Sequence, residues 1–309
     1  MLAAEPQSAR PPARAPAGSP APIPLRARDA HVRGMRMRVG EEKAWERRSP
    51  AELDCRADAL RALCDDGVSC LVGGAYAFFE YTGIFRDTKD LDVFLRRQEL
   101  ERAFASLERA GFRTELLDPV WLGKGFRGEF FVDVIFSSGN GLAVVDDLWF
   151  AHARRGEVMG LPVLLAPAEE IIWSKAFVCE RERFDGHDIA HLVRACGEAL
   201  DWRRLLARFD SHWEVLFSHL VLYRFAFPSE RTKVPDWVMR ELLRRTWEGM
   251  ARGDWERRVC RGPLVSKTQY LHVLQHLGFE DVRRLAAEEA AEPAEGAVDG
   301  PLVSSGGGG

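Results

Sequence analysis

The 309-residue sequence lacks any uninterrupted apolar stretch of the roughly 18–20 residues that a membrane-spanning helix requires. Its N-terminus also lacks the apolar core of a signal peptide. Both absences predict a cytoplasmic protein with no membrane partner. Cysteine is sparse and scattered: Cys55, Cys64, Cys70, Cys179, Cys196 and Cys260 form no C-x-x-C pair. That spacing argues against a zinc site and a disulfide framework, so reduced thiols are expected. Net charge is small, with 43 Lys and Arg against 47 Asp and Glu, or −4. Nothing global therefore points to wrapping a nucleic acid backbone, although a local basic groove stays open. No P-loop pattern and no Ser/His/Asp grouping stands out. His187-Asp188-Ile189-Ala190-His191 superficially matches the H-E-x-x-H helix of zinc proteases. Its aspartate is one methylene shorter than the glutamate base, and Gly186 suggests that a helix only begins there. His187 and Asp188 read better as capping or local bonding residues.

What is present is an ordinary globular composition, 46% apolar and 29% charged, with enough apolar material for a sizeable core. Residues 1–48 are rich in Pro, Ala and Arg. Arg10, Arg14, Arg26, Arg28, Arg33, Arg36 and Arg38 face only Glu5 and Asp29 as acidic residues before residue 40. Such a segment buries too little apolar surface to offset its ordering entropy, so disorder is expected. A basic arm for nucleic acid, or initiation near Met35, are the alternatives. Residues 49–165 alternate short β-rich runs with helical patterns. A strand over Ser69–Val72 runs into Gly73-Gly74, and a helix follows over Ala75–Tyr81. Leu91–Leu95 is a second strand. Gln98–Ala110 is helical, with Leu100, Phe104 and Leu107 on one face and Gly111 as its stop. Glu129–Phe136 is a further strand. Residues 166–285 are helical, with apolar stripes at Ile189/Leu192/Val193/Cys196/Leu200, at Trp202/Leu205/Leu206/Phe209 and at Trp213/Leu216/Phe217/Leu220/Val221. Residues 286–309 form an acidic, glycine-ended tail that reads as flexible. The expected class is α/β (α+β): a mixed sheet flanked by helices, then a helical C-terminal domain.

Three features carry chemistry. Gly73-Gly74 lies between a strand and a helix, where glycine lets backbone approach a ligand and a helix N-terminus suits phosphate. A purely structural turn is the bland alternative. Asp90-Leu91-Asp92 runs into an apolar strand, so both carboxylates point to one face. Their repulsion calls for solvent or a cation, and Mg²⁺ takes carboxylate and phosphate oxygens together. Asp133 is a lone acid in the apolar run Glu129–Phe136, where it needs a cation or a strong donor such as arginine. Together the three are the parts of a two-metal phosphoryl-transfer site.

Leu71-Val72-Gly73-Gly74-Ala75 followed by Arg86-Asp87-Thr88-Lys89-Asp90-Leu91-Asp92-Val93-Phe94 resembles the signature of the DNA polymerase beta-type nucleotidyltransferase superfamily. The nearest flavour is the bacterial group of abortive-infection toxin nucleotidyltransferases and minimal nucleotidyltransferases. The resemblance implies the nucleotidyltransferase fold. It also implies an enzyme moving a nucleoside monophosphate from an NTP to an acceptor hydroxyl, with two Mg²⁺ ions (or Mn²⁺) as cofactors. Asp90, Asp92 and Asp133 would hold metal, and Asp133 would help deprotonate the acceptor. Gly73, Gly74, Arg86 and Thr88 would serve the nucleotide. Lys175, in Trp173-Ser174-Lys175 ahead of Arg183, Asp185 and Asp188, matches a helix lysine of related toxins and would neutralise triphosphate charge. A solvated helix lysine is its alternative. The chain departs from the pattern in one place, with Gly74 where many members have serine. Acceptors left open are a small molecule, a protein or RNA, with an antitoxin as a conceivable partner. A non-catalytic nucleotide-binding module is the other reading. Lys124 and Arg127, among Gly123, Gly125 and Gly128, read as a surface hairpin with substrate contact as the alternative.

Overall fold

The computed structural model describes residues 48–86, 88–251 and 258–285. The expectations for the basic segment before Arg48 and for the tail from 286 lie outside them.

The N-terminal half builds one sheet. Helix α1 (Pro50–Asp65) starts where Ser49 Oγ accepts the Glu52 amide at 3.2 Å and proline occupies the first turn. Strand β1 (Cys70–Val72) leads into α2 (Gly74–Thr82). Strand β2 (Asp90–Leu95) follows, then α3 (Leu100–Arg109), which ends at Gly111 with φ +85°. Strands β3 (Arg113–Asp118), β4 (Leu122–Arg127) and β5 (Phe130–Ile135) form a meander. A short α4 (Asp147–Ala151) precedes the hairpin β6 (Arg154–Val158) and β7 (Leu161–Leu165). The strand order is β3-β4-β5-β2-β1-β7-β6. β2–β5 and β1–β7 are parallel and the other pairings antiparallel, so the sheet is mixed.

Helices flank this sheet: α1 and α3 pack on each other and on the β4–β5 side, while α2 packs on β2. Leu91, Val93, Leu95, Val132 and Val134 are fully buried at its centre. Each such side chain contributes about 1.5–3 kcal/mol by leaving water. β3, β4, β6 and β7 were not expected as strands. Their residues are partly exposed, β4 and β6 also carry glycine, and their order comes from pairing rather than local pattern.

The second half is helical: α5 (Ala168–Ala176), α6 (Gly186–Cys196), α7 (Trp202–Phe209), α8 (Trp213–Ala226) and α9 (Asp236–Ala251). A two-residue parallel pair, β8 (Val259–Cys260) with β9 (Glu280–Asp281), encloses α10 (Leu271–His276). Glu169 and Glu170 open α5 as expected, but they also pair with Arg204 of α7 while buried. Arg208 joins Glu170 to Asp146, the N-cap of α4. The expected stripe on α8 is rotated. Leu216, His219, Leu220 and Tyr223 are buried, while Val221 is exposed. The polar tips decide this, because His219 Nε2 meets Ala176 O at 2.8 Å and Tyr223 Oη donates to Glu230 O at 2.8 Å. All six cysteines are free. Among the described residues, no helix is long and apolar enough to cross a membrane.

Candidate active site

The parallel pairing of β2 with β5 sets Asp92 opposite Asp133 and Asp90 opposite Phe131. Asp90, two residues before Asp92, shares its face. One carboxylate oxygen from each of Asp90, Asp92 and Asp133 lies within 4.8 Å of the others. Burial, then the charges of Asp90 and Asp133, push the Asp92 carboxyl up to about 7. Burial also raises Asp133, against the opposing effect of Lys124. Three like charges converge, and the donors are all oxygen, which fits a hard divalent cation such as Mg²⁺.

Local chemistry holds these acids in place. Gly73 donates its amide to Asp92 O at 2.9 Å, so this amide ties β1 to β2. Gly74, at φ +54°, opens α2 beside the Asp92 carboxylate, and a Cβ there would overlap Oδ2. Thr88 Oγ1 donates to Asp90 Oδ1. The Thr88 carbonyl accepts from Arg56 Nη2 at 3.1 Å, and Arg56, which is buried, also donates to Tyr76 Oη at 2.7 Å and pairs with Glu52. Arg56 thus braces the approach to β2 from α1.

A cavity of about 490 Å³ spreads from the carboxylates. Gly74, Ala75, Arg86 and Thr88 line it on one side, and Lys175, Arg183, Asp185 and Asp188 on another. Lys175 Nζ pairs with Asp185 at 2.8 Å and Asp188 at 2.9 Å. Burial opposes its charge, but both acids outweigh this and raise it. Asp185 also takes Arg183 through both oxygens at 3.1 Å, and Arg86 pairs with Asp188. Burial disfavours the Asp185 charge, but Arg183 and Lys175 hold its carboxyl below the ordinary range. The side chains of Arg183 and Arg86 are 68% and 43% exposed, against 17% for Lys175. The two arginines face outward and Lys175 is the internal hub. Asp188, read as a capping or local bonding residue and as one of the acids following Lys175, bonds within this network, and α6 does start at Gly186.

Three contributions were not anticipated. Lys124 does belong to a hairpin, but its Nζ reaches Asp133 Oδ1 at 2.8 Å, whereas Arg127 goes to Asp58 of α1. The alternation Gly123-Lys124-Gly125 was the available signal, with the glycines meeting Phe104 and Leu107 of α3 on the other face. The second is Arg56, within a helix that gave no site signal. The third is the far wall, where Pro263, Leu264, Val265 and Ser266 close the cavity. Asn140 Nδ2 donates to Leu264 O at 2.8 Å and the Cys179 amide to Val265 O at 3.0 Å. Glu180 accepts from Ser266 Oγ and from the Lys267 amide.

No family model matches the chain, and no curated protein does. Solved structures do resemble it. The antibiotic-resistance factor ANT(2'')-Ia in solution is 20% identical at a TM-score of 0.41, over 55% of this chain and 96% of that one. An antigenic nucleotidyltransferase-like protein from Paracoccidioides brasiliensis is 18% identical at 0.39, over 60% and 94%. The lincomycin-bound lincosamide antibiotic adenylyltransferase LnuA is 16% identical at 0.34, over 47% and 96%. The mixed sheet flanked by helices is read from this chain's own strand order and pairing.

Proposed function

We propose that the protein is a metal-dependent nucleotidyltransferase that moves a nucleoside monophosphate from an NTP to an acceptor hydroxyl. The observation that carries this is the convergence of Asp90, Asp92 and Asp133 at a cavity opened by the Gly74 helix start. Asp90, Asp92 and Asp133 would hold Mg²⁺, two ions when substrate is bound, which would supply charge neutralisation on the phosphates. The free amides of the first turn of α2 suit phosphate oxygens. Arg86 and Arg183 would reach the triphosphate, aimed by Asp188 and Asp185, with Lys175 holding both acids apart from solvent. Asp133 would accept the acceptor's hydroxyl proton, and its raised carboxyl suits that role. The new bond joins the acceptor oxygen to the α-phosphorus. The α–β phosphoanhydride bond breaks, and pyrophosphate leaves with its electron pair.

The helical half and the Pro263–Ser266 wall would shape the acceptor pocket. The cavity volume falls in the range of small-ligand sites and suits the NTP, and a small molecule is the acceptor proposed ahead of RNA or a protein. Labelled NTP, Mg²⁺ and cell extract, fractionated by size, test both points. Label should transfer with the wild type and not with Asp90→Ala/Asp92→Ala. Equal labelling by both proteins would refute the reading, and label on RNA or protein would refute the small acceptor.

A further inference from the structure

The meander places Lys124 where the triad alone has no need of a cation. Lys124 pairs in register with Asp133 across β4 and β5. Gly123 and Gly125 turn their faces to α3, so Lys124 is committed to the carboxylate side. Its ammonium sits 2.8 Å from Asp133 Oδ1 and 3.8 Å from the centre of the Phe131 ring. Only 17% of the Lys124 side chain and 12% of that of Asp133 is exposed, so water screens this pair weakly. Asp133 Oδ1 is buried and meets the Lys124 ammonium as an ion pair, while the Asp133 side chain also lines the cavity.

The local charge count supports a single ion. Three carboxylates and the Lys124 ammonium leave two negative charges, which one divalent ion neutralises, while Lys175 and Arg183, which also act on Asp92, are offset by Asp185 and Asp188. A second dication would enter a site already neutral and would face the Lys124 ammonium. The triphosphate supplies the missing negative charge.

Building on the nucleotidyltransferase reading, we propose that Lys124 makes Asp133 a one-oxygen ligand and limits the nucleotide-free protein to one tightly held divalent ion. The second ion then enters only with the NTP. Lys124 is a positioning residue that orders assembly of the site, metal first and metal–nucleotide second. Such an order keeps the free enzyme from holding a complete metal pair without substrate.

The test is Mn²⁺ titration of the full chain without nucleotide, with free Mn²⁺ read by electron paramagnetic resonance. The wild type should hold one ion per chain tightly, and a non-hydrolysable ATP analogue should raise this to two. Lys124→Met should hold two without nucleotide, or bind its second ion at least tenfold more tightly. Lys124→Arg, which keeps the charge, should behave as wild type. Thermal melts check that each variant is folded. If Lys124→Met does not fold, Lys124→Gln, which keeps a polar tip beside Asp133 without the charge, takes its place with the same expected outcomes. Two tight ions in the nucleotide-free wild type, or an unchanged folded Lys124→Met, overturn the role of Lys124 and leave the metal centre standing. Absence of Mn²⁺ binding that depends on Asp90 and Asp92 overturns both.

Discussion

Gly74 and Asp92 exclude a side chain between them: the α2 start is left-handed at φ +54° and any Cβ there would overlap the Asp92 carboxylate. Two independent costs therefore meet at one atom. The left-handed backbone alone costs an L-residue about 1–2 kcal/mol. Gly74→Ala should lower thermal stability modestly and displace Asp92. Misplacement of a reacting group by about 1 Å can cost about 100-fold in rate. The measurement is nucleotidyl transfer beside Mn²⁺ affinity, and both should fall. A variant with wild-type Mn²⁺ affinity would show that the helix start yields instead of the carboxylate.

This relationship also shows what the sequence conveys and what it hides. The glycine pair was legible as a break between a strand and a helix, and Asp90, Asp92 and Asp133 as acids set in otherwise apolar strands. Their convergence was not local, for it depends on β2 and β5 lying parallel and in register. Lys124 and Arg56 stayed hidden for the same reason, since each acts across 9 and 32 positions respectively, on Asp133 and Thr88. The wall at Pro263–Ser266 comes from a weakly patterned segment that only its docking orders. The α8 stripe was misjudged at Val221 because His219 and Tyr223 count as polar until their tips find carbonyls.

Asp92 links metal binding to pH. Its folded carboxyl lies at about 7, above its ordinary value of 3.8, so the folded state binds this proton more tightly than the unfolded chain. Stability from this group is therefore present at low pH and falls as pH rises from about 4 towards 7, levelling above. The melting temperature of metal-free wild type should fall relative to Asp92→Asn across that window. Mg²⁺ should stabilise the wild type more at pH 8 than at pH 5.5, because the ion competes with the proton. A pH-independent gap between the two proteins would contradict this.

Arg56 is a structural brace with a functional consequence. Arg56→Met removes the buried partner of Glu52 and the donor to Tyr76 Oη and Thr88 O. Breaking a buried pair costs about 3–5 kcal/mol, and Arg48 at 3.1 Å from Glu52 softens this towards the lower figure. Denaturant titration should show the loss as a lower midpoint with an unchanged slope.

The cations around the cavity should separate into two behaviours. Arg183→Ala and Arg86→Ala should each raise the KM for NTP about tenfold, corresponding to about 1.4 kcal/mol, with little change in melting temperature. Lys175→Met should instead destabilise the fold, because Asp185 and Asp188 lose their shared buried partner. Paired melting and kinetic measurements distinguish the two. A heat-tolerant Lys175→Met with a raised KM would make Lys175 the triphosphate contact instead.

The parallel ladder of β2 and β5 has a consequence for how this site can vary. Substitutions near it are graded, because a side chain can shift by fractions of an ångström. Length changes are not graded. Inserting or deleting one residue inside either strand exchanges its two faces, and sends Asp92 or Asp133 into the apolar layer while a valine takes its place at the cavity. Loops bounding these strands can lengthen freely, but the strands between them behave as a ruler that tolerates no change of count.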